Sequence, residues 1–390
     1  MKGMIIMLKK LTAIILTFTL CFSLVTVCAD EGAPELKSPS AVLIELNSGR
    51  VLFEKNAHDV LPPASVTKVM TMLLIMEAID EGKLSFDDMV VGSARAKSMG
   101  GSTIFLEEGE QLSVHDMLKG IAVASGNDAS VAMAEHIAGS VEAFVEQMNK
   151  KAYELGMKDT NFVNCNGLDD DSVYNTTSAY DIALMSRELM LKHPKIKDFT
   201  TIWMDSLRNG KFSLANTNKL IRFYEGATGL KTGSTSKAKN CLSATAERNG
   251  LSLVAVIMKA PTSKDRFADA SKLLNYGFGA YKAETVLKKD EKYASVKVTK
   301  GEKNEVSVAP NDDYIYLSKK TESQKITVKP IIESTYEAPI EKGGNAGTAQ
   351  IFEGDKKIAE VNLVFCESVN RKNLFSVYSG ALNKWLGGID

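Results

Sequence analysis

The sequence predicts an α/β protein, an antiparallel sheet with flanking helices and a helical insert, followed by a small C-terminal all-β domain. Three observations predict it. Two apolar runs joined by Asn249-Gly250 read as paired strands. Helical periodicity dominates the stretch before them, and after about residue 285 short alternating runs take over. With 390 residues, 44% of them hydrophobic, the chain can bury a large domain and a smaller one.

Taken in order, the chain opens with a targeting segment. Lys2, Lys9 and Lys10 precede an uncharged apolar run from Leu11 to Val27, and Val27-Cys28-Ala29 offers small residues ahead of Asp30. This reads as a signal peptide over residues 1–29, in preference to an uncleaved membrane anchor. Ala41 to Leu46 and Arg50 to Phe53 form a strand pair across Asn47-Ser48-Gly49. Pro62-Pro63 stops the chain, and a helix runs from about Ser65 to Asp80 with Val69, Met72, Leu73, Met76 and Ile79 on its apolar face. Helices follow at 113–124, 128–138, 141–155 and 178–192, strands at 242–247 and 251–259, and a helix at about 263–281. Alternating runs near 294–298, 305–308, 314–317, 325–328 and 361–364 then predict a small antiparallel β domain. The expected division is 38–285 for the catalytic domain, 286–370 for the β domain and 371–390 for a tail.

Several function classes drop out. A net charge of -1 gives no electrostatic argument for a nucleic-acid partner. Beyond the signal segment only Cys165, Cys241 and Cys366 remain, too few and odd in number for a disulfide framework. His58, His115, His136 and His193 lie apart, so neither a zinc site nor a Ser-His-Asp triad is expected, and no cofactor is called for.

Three short motifs carry chemistry. In Ser65-Val66-Thr67-Lys68, the serine and lysine stand at i and i+3 and meet on one helix face. A hydroxyl becomes a nucleophile only when a base takes its proton, and Lys68 is such a base if burial or a nearby cation lowers its pKa. Ser234-Thr235-Ser236-Lys237 repeats the pattern, but only the first copy has an apolar helix behind it and Pro-Pro in front. Ser125-Gly126-Asn127 lies between two helices. It offers Ser125 as a proton relay to the leaving amine and Asn127 to hold the lysine or the substrate amide, although Ser, Gly and Asn also make plain turns. Lys231-Thr232-Gly233 precedes the Asn249-Gly250 hairpin and is placed on an edge strand. Lys231 brings charge for a carboxylate and a means of depressing the Lys68 pKa; Thr232 brings a hydroxyl. Gly233 lets a substrate backbone lie close, and the Ser234 N–H joins that of Ser65 in an oxyanion hole.

With these motifs on the page, the chain resembles the low-molecular-mass penicillin-binding proteins, serine-type D-alanyl-D-alanine carboxypeptidases of the peptidase S11 type, within their DacF-like group. The resemblance spans about residues 38–285 and extends to Trp203-Met204-Asp205-Ser206-Leu207-Arg208, Asn216-Thr217-Asn218-Lys219-Leu220, Thr228-Gly229-Leu230 and Ala260 to Arg266. It implies a β-lactamase/penicillin-binding-protein-like fold and an acyl-enzyme on Ser65 that β-lactams trap. The peptide substrate would be a peptidoglycan stem ending in D-Ala-D-Ala. Ser65, Lys68, Ser125 and Asn127 inherit catalytic roles; Lys231, Thr232 and Arg266 inherit contact with the substrate carboxylate. Two departures stand out: Asn164-Cys165-Asn166-Gly167-Leu168 where Asn-Pro-X-Gly-Leu is expected, and Asn175 near a frequent histidine.

Leu374, Tyr378, Leu382 and Trp385 fall at helical spacing in the tail, which suits either peripheral contact with a membrane or packing on the β domain. Two other functions compete. A class A β-lactamase needs a glutamate in the loop after the second motif, and residues 157–175 hold Asp159, Asp169, Asp170 and Asp171 but no glutamate. A non-catalytic cell-wall-binding protein would not need the intact trio.

Overall fold

The computed structural model describes residues 32–169, 172–322 and 324–373. The signal segment, Asp170, Asp171 and the apolar stripe of the tail lie outside the described residues. The chain divides into Met1–Glu35 and Leu36–Asp390, and the elements below all belong to the second unit.

Strands β1 (Ser40–Glu45) and β2 (Val51–Lys55) form the expected antiparallel pair. A 3-10 turn over Ala64–Thr67 leads into helix α1 (Lys68–Asp80). Ten of the thirteen α1 residues are buried, so the single apolar stripe expected from the sequence is replaced by a helix enclosed on all sides. Helices α2 (Val114–Ala124), α3 (Asn127–Ala138), α4 (Val141–Glu154) and α5 (Ala179–Lys192) follow. Ser113, Ser140 and Ser178 cap α2, α4 and α5, each accepting a backbone N–H of the first turn. A short hairpin, β3 (Met204–Leu207) with β4 (Phe212–Ala215), comes next; its four-residue strands carry too little alternation to stand out in the sequence.

The sheet is completed by β5 (Ala227–Thr235), β6 (Lys239–Arg248) and β7 (Leu251–Ala260), with α6 (Ser263–Ala280) behind it. Its order is β2-β1-β7-β6-β5, antiparallel throughout, which leaves β5 on the edge as the sequence predicts. Both faces are covered. Val42, Ile44, Val254 and Val256 join the core shared with α1 and the insert, whereas Ala41, Leu43, Ala255 and Ile257 join the core beneath α6. The period-two alternation thus runs between two apolar cores, which explains why these strands read as unbroken apolar runs.

Strand β8 (Tyr281–Leu287) pairs with β11 (Tyr314–Lys319) and runs across residue 285, where the sequence places a domain boundary. The remaining strands, β9 (Ala294–Thr299), β10 (Glu305–Pro310), β12 (Ile326–Ile331), β13 (Thr335–Glu337), β14 (Asn345–Glu353) and β15 (Lys356–Phe365), form a six-stranded sheet. Its order is β12-β14-β15-β10-β9-β13. The expectation of a purely antiparallel domain needs one correction: β9 and β13 pair in parallel, because a long connection returns the chain to the far edge of the sheet.

Candidate active site

Ser65 sits in the 3-10 turn before α1, a turn pinned from two sides by glycines. A Cβ on Gly233 would lie 2.6 Å from the Pro63 carbonyl oxygen and 3.0 Å from the Ser65 nitrogen. One on Gly167, at φ +80°, would lie 1.9 Å from the Ala64 oxygen. The close approach that Gly233 permits includes one to the protein's own Ser65 turn. Ala64 itself adopts φ +50°, a left-handed conformation that a β-carbon disfavours and that this packing holds in place.

Lys68 is fully buried, and its Nζ has three partners: Ser65 Oγ at 3.0 Å, Asn127 Oδ1 at 2.6 Å and the Asn166 carbonyl at 2.6 Å. Two of these can only accept. In the neutral amine, both N–H hydrogens go to the two carbonyl oxygens and the lone pair is left facing the Ser65 hydroxyl. Burial pulls the Lys68 amine down from the usual lysine value to about 7, against the opposing pull of Asp128. The amine is thus available as a base near neutrality. Asn127 is held so that its oxygen must face the lysine: its Nδ2 donates to Gly100 O at 2.7 Å, and its backbone N–H to Ser102 O at 2.7 Å. Of the two roles foreseen for Asn127, the structure assigns it the lysine.

Ser125 caps α2 in the left-handed region at φ +64°, next to Asn127, and among the described residues its hydroxyl has no hydrogen-bond partner in the protein. Lys231, on edge strand β5, is 1% exposed and donates to Thr232 O at 2.9 Å. Its pKa falls well below the usual range, first through burial and then through repulsion by Lys68 and Arg266. The sequence expects repulsion between these two lysines; in the structure it lowers Lys231, and burial is the largest cause lowering Lys68. Arg266, 8% exposed, donates Nη1 to Gly233 O at 2.9 Å, so it braces β5 and adds positive charge there, and its Nε has no partner. Ser234 is exposed on the same strand. The second Ser-x-x-Lys copy starts at that strand's end, and Lys237 lies over the Tyr174 ring at 4.6 Å, outside the buried lysine environment.

Residues that no motif announced complete the site. The Asn166 carbonyl is a backbone group and leaves no side-chain signature. The loop that carries it is held by Asn175, whose Oδ1 accepts from Val163 N at 2.7 Å and Asn164 N at 3.1 Å and whose Nδ2 donates to Thr67 Oγ1 at 2.9 Å. Asn164 Oδ1 in turn accepts from Gly167 N at 2.7 Å. This amide network occupies the region where the sequence departs from the expected proline and histidine. Cys165, fully buried with its thiol pushed up to about 12 by burial, is a protonated filler there. Asp128, adjacent to Asn127, accepts from Ile104 N, Leu106 N and Ala129 N and so fixes the loop that holds Asn127. Cys165, Cys241 and Cys366 are all free thiols.

A hydroxyl, a buried amine in contact with it and an edge strand carrying Lys231 and braced by Arg266 are the parts of a serine acyl-transfer site of the Ser-Lys type. The family profile described as D-alanyl-D-alanine carboxypeptidase (peptidase S11) matches residues 28–262, and that of the penicillin-binding protein 5 C-terminal domain matches 281–371. The D-alanyl-D-alanine carboxypeptidase DacF of Bacillus subtilis is 44% identical over 353 residues, covering 90% of each chain. Among solved structures, penicillin-binding protein 5 from Haemophilus influenzae matches with a TM-score of 0.68 at 32% identity, covering 87% of this chain and 99% of that one. Penicillin-binding protein D2 from Listeria monocytogenes, solved in its ampicillin-bound form, matches with a TM-score of 0.58 at 32% identity, over 63% of this chain and 100% of that one. The chain belongs to the D-alanyl-D-alanine carboxypeptidase family, with the penicillin-binding-protein fold in its catalytic part.

Proposed function

We propose that this chain removes the terminal D-alanine from peptidoglycan stem pentapeptides through an acyl-enzyme on Ser65, and that β-lactams acylate the same oxygen. The observation that carries the residue assignment is the three-way contact of Lys68 Nζ, which leaves a neutral amine nothing to do but accept from Ser65. The substrate's terminal carboxylate docks on the Thr232 side of the site, in the field of Lys231 and Arg266. Ser65 Oγ attacks the penultimate carbonyl carbon while its proton passes to Lys68, and the backbone N–H groups of Ser65 and Ser234 hold the oxyanion. The C–N bond breaks as Ser125 relays that proton to the departing D-alanine nitrogen. Water then cleaves the ester and restores Ser65.

Mass spectrometry after incubation with a pentapeptide ending in D-Ala-D-Ala tests this. D-Alanine release and covalent penicillin labelling are both expected, and Ser65→Ala abolishes both. Labelling that persists in Ser65→Ala removes Ser65 as the nucleophile.

The same proposal places the enzyme outside the cytoplasm, either secreted or peripheral at the outer face of the cytoplasmic membrane. The basic start, the apolar run from Leu11 to Val27 and the apolar spacing of Leu374, Tyr378, Leu382 and Trp385 support this reading. Among the described residues no helix is long and apolar enough to cross a membrane.

A further inference from the structure

A short segment, Asn216-Thr217-Asn218, belongs to none of the three motifs. Its two asparagines are 6% and 1% exposed, and their side chains are committed to backbone groups. Asn216 Nδ2 donates to Ile202 O at 2.7 Å, and its Oδ1 accepts from Asn218 N at 2.8 Å. Asn218 Nδ2 donates to Gly229 O at 2.8 Å, and its Oδ1 accepts from Leu220 N at 3.1 Å. Such a frame fixes the residue between them. Thr217 donates its N–H to Val123 O at 3.2 Å, two residues before Ser125, and its Oγ1 accepts from Thr232 Oγ1 at 2.7 Å. One residue thus ties the strand of Lys231 to the helix end that carries Ser125.

The proton count of that hydroxyl pair is informative. Two hydroxyls carry two hydrogens, and one lies between the oxygens. With Thr232 donating, its hydrogen is committed to Thr217, and Thr232 is 5% exposed. The remaining hydrogen belongs to Thr217, which is only partly buried. We infer that Thr217 is a specificity-determining residue of this enzyme, its hydroxyl donating to the substrate's terminal carboxylate while Thr232 backs it. A carboxylate accepts and cannot donate, so the pair is polarised the right way for it, and a chained hydroxyl is a stronger donor than an isolated one. This inference rests on the carboxypeptidase reading above.

The experiment compares two activated peptide thioesters with the same D-alanyl acyl group. One has a thioglycolate leaving group, with a free carboxylate; the other is its neutral methyl ester. Thiol release is followed for the full-length protein, Thr217→Val and Thr217→Ser. Thr217→Val is expected to lower kcat/KM for the acid about 10- to 50-fold and for the ester less than about threefold, the size of a lost hydrogen bond to a charged group. Thr217→Ser, which keeps the hydroxyl, is expected to stay within about threefold of wild type on both. Equal losses on acid and ester in Thr217→Val, or a full loss in Thr217→Ser, would show a merely structural residue and overturn the assignment. If Thr217→Val does not fold, the acid-to-ester ratio of Thr217→Ala decides by the same criterion. A wild-type protein that cleaves neither thioester and releases no D-alanine defeats the carboxypeptidase reading and this inference with it. Wild-type turnover with an unchanged ratio in the variants defeats this inference alone.

Discussion

The catalytic part and the C-terminal β sheet use burial in opposite ways. Around Ser65 the chain buries ionisable groups: Lys68, Lys231 and Arg266 are each at most 8% exposed, and no carboxylate among the described residues forms a salt bridge with any of them. Among the described residues the β domain buries no charged side chain; its two small cores around Val308 and Leu363 are apolar, and its ion pairs lie outside, as with Lys300, Glu337 and Arg371. Exposed pairs of this kind contribute little to stability. Buried, unpaired cations cost stability but acquire altered proton affinity, which is what a base and an anion site require. The difference shows where this protein sacrifices stability for chemistry.

The largest effect expected from breaking the contrast is at Gly167. Its Cβ position lies 1.9 Å from the Ala64 oxygen and 2.4 Å from the Ala64 carbon, both backbone atoms that cannot swing aside. Gly167→Ala is expected to cost upwards of ~3 kcal/mol, measured by denaturant unfolding, with loss of penicillin labelling. Wild-type labelling in that variant would mean that the loop is not clamped on the nucleophile turn.

Next comes pH. Lys68 must be neutral to accept the Ser65 proton, and burial lowers its pKa to about 7. Acylation by benzylpenicillin should therefore rise with pH through about 7 and fall about tenfold per unit below it. The sign for stability follows from the same shift. The unfolded chain binds the Lys68 proton more tightly, so this group's burial costs most below pH 7, and the cost fades as pH rises toward the ordinary lysine value. An acylation rate flat from pH 5 to 8 would remove Lys68 as the base.

The smallest effect is in the β domain. Val308 is fully buried. Val308→Ala is expected to destabilise by about 2 kcal/mol while leaving the penicillin acylation rate unchanged. A parallel loss of acylation would show that the two regions are energetically coupled at the active site.

Much of this architecture was legible in the sequence. The β1–β2 turn, the serine-capped helices and the Asn249-Gly250 hairpin are local events, governed by nearest neighbours and side-chain periodicity. Lys231 on an edge strand could be read for the same reason. The parallel β9–β13 pair could not, because nothing in either strand encodes a partner about forty residues away. Nor could Asn166, whose contribution to Lys68 is a backbone carbonyl that every residue type possesses; Thr217 lay in a segment that the resemblance marked, but its hydrogen bond with Thr232 was not legible there.

From composition and order alone the chain settled the kind of reaction, since a hydroxyl, an amine and a cationic strand are fixed by residue identity. The sequence already favoured Lys68 over Lys237, and tertiary structure alone shows why the setting of Lys68 suits a base. Both stand three residues after a serine, but only Lys68 is buried among carbonyl oxygens, and proton affinity depends on solvent access, which one-dimensional order does not carry.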